Sequence, residues 1–232
     1  MSGKMIANSL IGGVEHLKMA DRRLMRSAEP DRKRHSTSHE ADASAMLRCV
    51  CSWVNRLRIT PHTSKERLMV TVRALSGDSD NDYANVSRVF IEAASYTQLV
   101  EGRSPSKEDV DDFFYGKPAG KDGGDKSVFG FYVGPDMVGC ADVIRAYPTD
   151  DCIWIGLLLF SDAYQRRGYG KTALALLDAM AREWGFRRAQ LAVVSTNPRA
   201  FAFWQREGFE EIRRATNQRF LGELIVMERP IP

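Results

Sequence analysis

The chain has 232 residues with 44% hydrophobic and 27% charged, a globular composition long enough for one substantial core and a small appendage. Its net charge of +3 is unevenly spread: residues 1–66 carry 12 Lys/Arg against 7 Asp/Glu, so the remainder is slightly acidic. All four histidines, His16, His35, His39 and His62, fall in that first segment, which excludes a histidine base or a histidine-ligated metal from the rest.

Residues 1–66 read as a basic, largely disordered extension, most polar over 22–43. Within it Met46, Leu47, Val50, Trp53, Val54 and Leu57 recur at helical spacing beside Arg48, Arg56 and Arg58, predicting a basic amphipathic helix over 44–58, read first as docking on the domain and second as a membrane or nucleic-acid contact. Met69, at the beginning of the first predicted domain strand, is an alternative natural start. The domain itself is expected over 67–232. It opens with a strand at 68–74 and two helical stretches at 85–100 and 106–115. Ser106-Lys107-Glu108-Asp109 starts the second helix like a capping box. Glu108, Asp109, Asp111 and Asp112 read first as a solvated helix start favoured by the dipole, and second as a lure for a cationic amine. Residues 116–125, rich in glycine, lysine and aspartate, predict a mobile loop.

Three β-branched and aromatic runs follow, at 127–133, 137–147 and 152–160, joined by Gly134-Pro135-Asp136 and by Pro148-Thr149-Asp150-Asp151. These are hairpin connections. From Lys171 the period changes: Leu174, Leu177, Ala181 and Trp184 mark a helix closed by Gly185. A strand at 188–194, a capped helix at 197–207 and a strand pair at 210–216 and 220–227 complete the chain. An antiparallel meander feeding one β-α-β crossover gives a mixed sheet in an α/β or α+β domain, with a ligand crevice at the strand ends.

The turn Gln165-Arg166-Arg167-Gly168-Tyr169-Gly170 stands where that crossover passes from strand to helix. Glycines at 168 and 170 permit positive φ and close approach, and the first helical N–H groups point outward, so the junction is suited to an anion such as pyrophosphate. Two nucleotide motifs nearly fit. Gly168-x-Gly170-x-x-Ala173 matches the dinucleotide spacing, but Gln190 holds the place of the required acid. Gly170-Lys171-Thr172 copies the end of a phosphate loop whose earlier glycine is Gln165.

A third pattern covers more. From Leu68 to Met227 the chain resembles the GNAT acetyltransferase superfamily, on three segments in order: 155–160, the loop 165–170, and Asn197-Pro198-Arg199-Ala200 running to Gly208-Phe209. The resemblance implies a twisted, mostly antiparallel GNAT sheet flanked by helices. It also implies acetyl transfer from acetyl-CoA to a primary amine by direct attack, with no metal. The alternative on the same fold is a non-catalytic acyl-CoA sensor or protein-interaction module. By resemblance the cofactor contacts are Leu158, Leu159, Phe160, Gln165, Arg166, Arg167, Gly168, Tyr169, Gly170, Lys171, Asn197 and Trp204, with the backbone N–H of Leu159 or Phe160 meeting the thioester carbonyl. Trp204 stands where the family often has a thiol-protonating tyrosine. Indole cannot protonate a thiolate, so packing or a pocket wall is the expected role of Trp204. Tyr164, Tyr169 or solvent are substitutes, and Asp142, Asp150 or Asp151, and Glu223 are candidate bases.

The acceptor is expected to be a small molecule or peptide amine, with no nucleic-acid or membrane partner indicated and a homodimer open. The sequence offers neither a membrane span nor a secretion signal, and the acids in 1–66 argue against a transit peptide, so a cytoplasmic location is expected. Cys49, Cys51, Cys140 and Cys152 are expected as reduced thiols.

Overall fold

The computed structural model describes residues 69–232, so the basic extension, its predicted helix at 44–58 and the Cys49-x-Cys51 pair lie outside the described residues. β1 (Val70–Ala74) leads into three helices, α1 (Asp80–Glu92), α2 (Ala94–Glu101) and α3 (Lys107–Tyr115). Then come β2 (Lys126–Val133), β3 (Asp136–Arg145), β4 (Cys152–Phe160), α4 (Tyr169–Glu183), β5 (Arg188–Val194), α5 (Pro198–Arg206), β6 (Glu210–Ala215) and β7 (Leu224–Pro230). The seven strands form one sheet in the order β1-β2-β3-β4-β5-β7-β6. β4 and β5, joined through α4, pair parallel, and the other neighbours pair antiparallel. The predicted mixed sheet with one crossover is the observed one.

Each sheet face takes its own helices because the strands alternate. Phe129 and Phe131 of β2 and Ile153 and Ile155 of β4 pack against Leu174, Leu177 and Met180 of α4 and Trp204 of α5. Tyr132, Met137, Cys140 and Leu159 face the other way, onto Val86, Phe90, Val110 and Phe113 of α1 and α3. β4 changes phase between the two. Asp142 pairs with Leu157 and Val143 with Ile155, leaving Gly156 as the extra residue of a β-bulge. After it Leu157 and Leu159 join the α1–α3 face, while Leu158 packs with the α4 face.

Several boundaries differ from the sequence reading. The predicted helix at 85–100 begins earlier, at Asp80, where Ser79 Oγ accepts a hydrogen bond from Asp82 N–H at 3.2 Å, and it breaks at Ala93. Ala93 is fully buried at that corner, with non-helical φ −111° and ψ 28°. The last strand starts at Leu224, four residues beyond the predicted Phe220. The side chain of Phe220 anchors a loop among Val100, Val194, Ala215 and Leu224, and Leu221 N–H donates to Val100 O at 2.9 Å. The loop after α3 carries a short 3₁₀ turn, Gly123–Asp125, capped by the Asp122 carboxylate. At α3 itself the expected box is present, Ser106 N–H donating to Asp109 Oδ2 at 2.8 Å.

Candidate functional site

Two features meet along the second half of β4. The first is a wedge in the sheet. β4 pairs with β5 only over Cys152–Ile155 against Arg188–Leu191, after which β5 continues against β7 as far as Val194 and β4 continues against β3 as far as Phe160. From Gly156 onward, therefore, the β4 edge that faces β5 has no strand partner. Gly156, Leu157 and Leu158 are half-buried there, within a strand otherwise buried.

The free edge runs straight into the loop at 165–168. Gln165 Nε2 donates to Phe160 O at 3.0 Å and to Asp162 Oδ1 at 2.8 Å, and Ser95 Oγ of α2 donates to the same Asp162 oxygen at 2.6 Å. These bonds brace the loop from both sides. The positive φ falls on Arg166 (60°) and Gly168 (85°), and Gly170 is already helical. The expectation of two positive-φ glycines is corrected accordingly. At residue 170 a Cβ would meet Phe203 Cζ at 3.4 Å, an ordinary van der Waals contact, so neither φ nor space demands glycine there. α4 starts at Tyr169, two residues before the predicted Lys171, with Gly168 as an N-cap that supplies no side-chain acceptor. Its first N–H groups are therefore uncapped by any side chain, in a loop whose residues 166–168 are exposed.

The second feature is a cavity of about 60 Å³ on the α1–α3 face, reaching Gly156 and Leu157. Among its walls are four carboxylates from two helices and a strand, Glu101 of α2, Asp109 and Asp112 of α3 and Asp142 of β3, with Lys126 and Arg219. Asp142 is held against the bulge: a Cβ on Gly156 would fall 2.5 Å from its Oδ2, so only glycine leaves room for it. Lys126 Nζ donates to Asp142 Oδ2 at 2.9 Å and to Gly116 O at 2.6 Å. Burial pushes the Asp142 carboxyl above its ordinary pKa, against the pull of Lys126. Asp112 is likewise raised by burial, with Arg219 and Lys126 opposing. Asp109 goes the other way. Burial raises it, but Arg103, the Ser106 N–H and Arg219 outweigh that and hold it below the usual carboxylate range. Arg219 spans the group, reaching Glu101, Asp109 and Asp112 at 2.8, 2.8 and 3.2 Å.

A strand edge freed by a wedge, leading to an uncapped helix N-terminus and flanked by a charged cavity, invites comparison with known proteins. The sequence pattern of the acetyltransferase (GNAT) family matches residues 91–209. The chain belongs to that family. Among solved structures, an acetyltransferase from Thermus thermophilus is 28% identical, with 69% of this chain and 96% of that one covered and a TM-score of 0.58. The ribosomal-protein-S18-alanine N-acetyltransferase of Escherichia coli (18% identity, 70% and 94% covered, TM-score 0.52) shares the fold. So does the PaiA N-acetyltransferase of Thermoplasma acidophilum, solved in complex with coenzyme A (19%, 69% and 98%, TM-score 0.51). A search of curated proteins finds no match.

The GNAT frame places the residues singled out from the sequence. Leu158, Leu159 and Phe160 lie along the wedge edge, and Gln165 to Lys171 form the loop and first helical turn. Asn197 sits at the N-cap of α5, its Oδ1 accepting from Ala200 N–H at 3.0 Å, with Pro198 at the first helical position. Trp204 is a core residue, 8% exposed and edge-on to Phe209 with ring centroids 5.1 Å apart. Tyr164 lies on the short turn between β4 and the loop, its ring 6.2 Å from that of Tyr169, and Tyr169 is buried against Phe160. Of the candidate bases, Asp142 lines the cavity. Asp151 stands at the opposite end of β4, bonded to Arg188, which holds its carboxyl down at about 2. Glu223 pairs with Arg214 on the surface. The sequence reading passed over Glu101, Lys126 and Arg219 and read Asp112 as solvated. The signal available for them was weak, since they come together from α2, β2, the β6–β7 loop and α3. Among the described residues no His/Cys/Asp/Glu group has metal-site geometry, and no helix is long and apolar enough to cross a membrane.

Proposed function

We propose that this GNAT protein transfers an acetyl group from acetyl-CoA to a primary amine. The observation that carries the reading is the continuity of the wedge edge with the uncapped start of α4. An extended amide-bearing arm can pair with the exposed β4 backbone, and a diphosphate can meet the N–H groups of Tyr169, Gly170 and Lys171. Arg166, Arg167 and Lys171 add positive charge at the same end. The Asn197 amide, with its oxygen engaged in the cap, keeps its NH₂ for the arm. The cosubstrate supplies the activated acyl group as a thioester.

Transfer forms a C–N bond from the amine to the acyl carbon and breaks the C–S bond. The amine must lose a proton and the departing thiolate must gain one. We assign the amine's proton to Asp142, which borders both the cavity and the bulge and whose basicity is raised by burial. With Trp204 in the core, the thiolate takes its proton from solvent. The same tryptophan favours a second reading, a protein that binds acyl-CoA without turning it over. Thiol release from acetyl-CoA over an amine panel, beside calorimetry with coenzyme A, separates the two. Binding without turnover on any amine supports the sensor, and no binding defeats both.

A further inference from the structure

The cavity has a composition of its own. Its apolar walls are aromatic for the most part, with Phe90, Tyr96, Phe113, Trp154 and Phe220 among them. Its charges do not cancel: the four carboxylates face Lys126, Arg219 and Arg103, the last bound to Glu101 and Asp109, so one negative charge is left over. Tyr96, half-buried, lines the cavity from α2, and its hydroxyl makes no hydrogen bond among the described residues. A hydroxyl that keeps access to the cavity can serve a ligand there as donor or acceptor.

Resting on the acetyltransferase reading, we infer that the acceptor is a compact primary amine with an aromatic or apolar body and no anionic group, seated in this cavity with its ammonium against the carboxylates and the Tyr96 hydroxyl. Each part of the description has its own cause. The surplus negative charge attracts a cation and repels a carboxylate, so an amine is taken and the matching α-amino acid is refused. Aromatic faces stabilise an adjacent ammonium and pack a ring or short alkyl body. A cavity of about 60 Å³ admits a short head group and leaves no depth for a long polycation. Tyr96 accepts a hydrogen bond from the ammonium and fixes where its nitrogen stands. The ammonium first releases one proton to solvent, which frees the nitrogen lone pair, and as that nitrogen attacks the thioester carbon its second proton passes to Asp142.

The test uses the full chain with acetyl-CoA and three amines, 2-phenylethylamine, phenylalanine and spermidine, read by thiol release. We expect kcat/KM for 2-phenylethylamine at least tenfold above the other two. Tyr96→Phe should raise KM for 2-phenylethylamine about tenfold, the loss of one hydrogen bond to a charged group, and leave KM for acetyl-CoA unchanged. Equal use of phenylalanine or spermidine, or an unaltered Tyr96→Phe enzyme, overturns the inference. Thermal shift without cofactor keeps the two levels of proposal apart. Stabilisation by 2-phenylethylamine but not phenylalanine supports the cavity assignment even in a protein that ignores coenzyme A. Absence of any amine shift while coenzyme A still binds sinks the assignment and leaves the acetyltransferase reading standing.

Discussion

The two faces of the sheet are built on different terms. Against α4 and α5 the interior is almost wholly apolar, and its buried charges among the described residues are one pair, Asp178 and Arg229, joined at 2.6 Å. Against α1 to α3 a second apolar cluster surrounds a knot of carboxylates, a lysine and arginines, with a cavity in the middle. The first face is a support that holds the loop and the helix N-terminus in place. The second gives up packing for polarity, which a fold tolerates where something must bind. Raised carboxyls at Asp112 and Asp142 are the electrostatic sign of that exchange.

The sharpest way to probe the difference is to break one buried pair on each face. Lys126→Met leaves Asp142 without its partner, and Asp178→Ala does the same to Arg229. Both should lower unfolding stability by about 3–5 kcal/mol in denaturant titrations. Only the first should also change amine selectivity. Next in size is Gly156→Val, which drives a side chain into the Asp142 carboxylate. We expect a cost of about 1–3 kcal/mol in melting experiments, with turnover down roughly 100-fold because the β4 edge and Asp142 shift together. Gly168→Val, which forces φ 85° on a β-branched residue, should cost about 1–2 kcal/mol and weaken coenzyme A binding more than about tenfold, with amine recognition retained.

The smallest effect is in titration. A carbon-detected NMR series should show Asp151 titrating near pH 2 and Asp142 above the ordinary aspartate range. The signs are opposite. For Asp151 the stabilisation is present above its unfolded pKa and fades as pH falls toward 2. For Asp142 it is full below the unfolded pKa and fades as pH rises through the folded one. Equal titration of the two would remove the contrast between the exposed turn before β4 and the buried bulge facing β3.

The same contrast governs what could be read from the sequence. The support face is local: the strand at 152–160, the turn, and the helix with Leu174, Leu177 and Ala181 are consecutive, so spacing and glycines disclosed the crossover and the loop. Even there the positive φ of Arg166 was invisible, because nothing in a non-glycine residue's identity announces it. The cavity face is assembled from residues 90 to 220 by sheet pairing and helix packing. Asp109 and Asp112 looked like solvated acids near the start of α3 until Arg219, more than a hundred positions on, closed over them. The bulge at Gly156 left no mark in an apolar run and became visible only as a register shift against β3.

The most direct test is calorimetric titration of the purified full chain with coenzyme A, beside the Gly168→Val variant. The account predicts saturable one-site binding by the wild-type protein and more than tenfold weaker binding by a variant that remains folded. A folded wild-type protein that gives no heat with coenzyme A, or a variant that binds it equally well, would contradict the placement of the cofactor at the wedge and the start of α4.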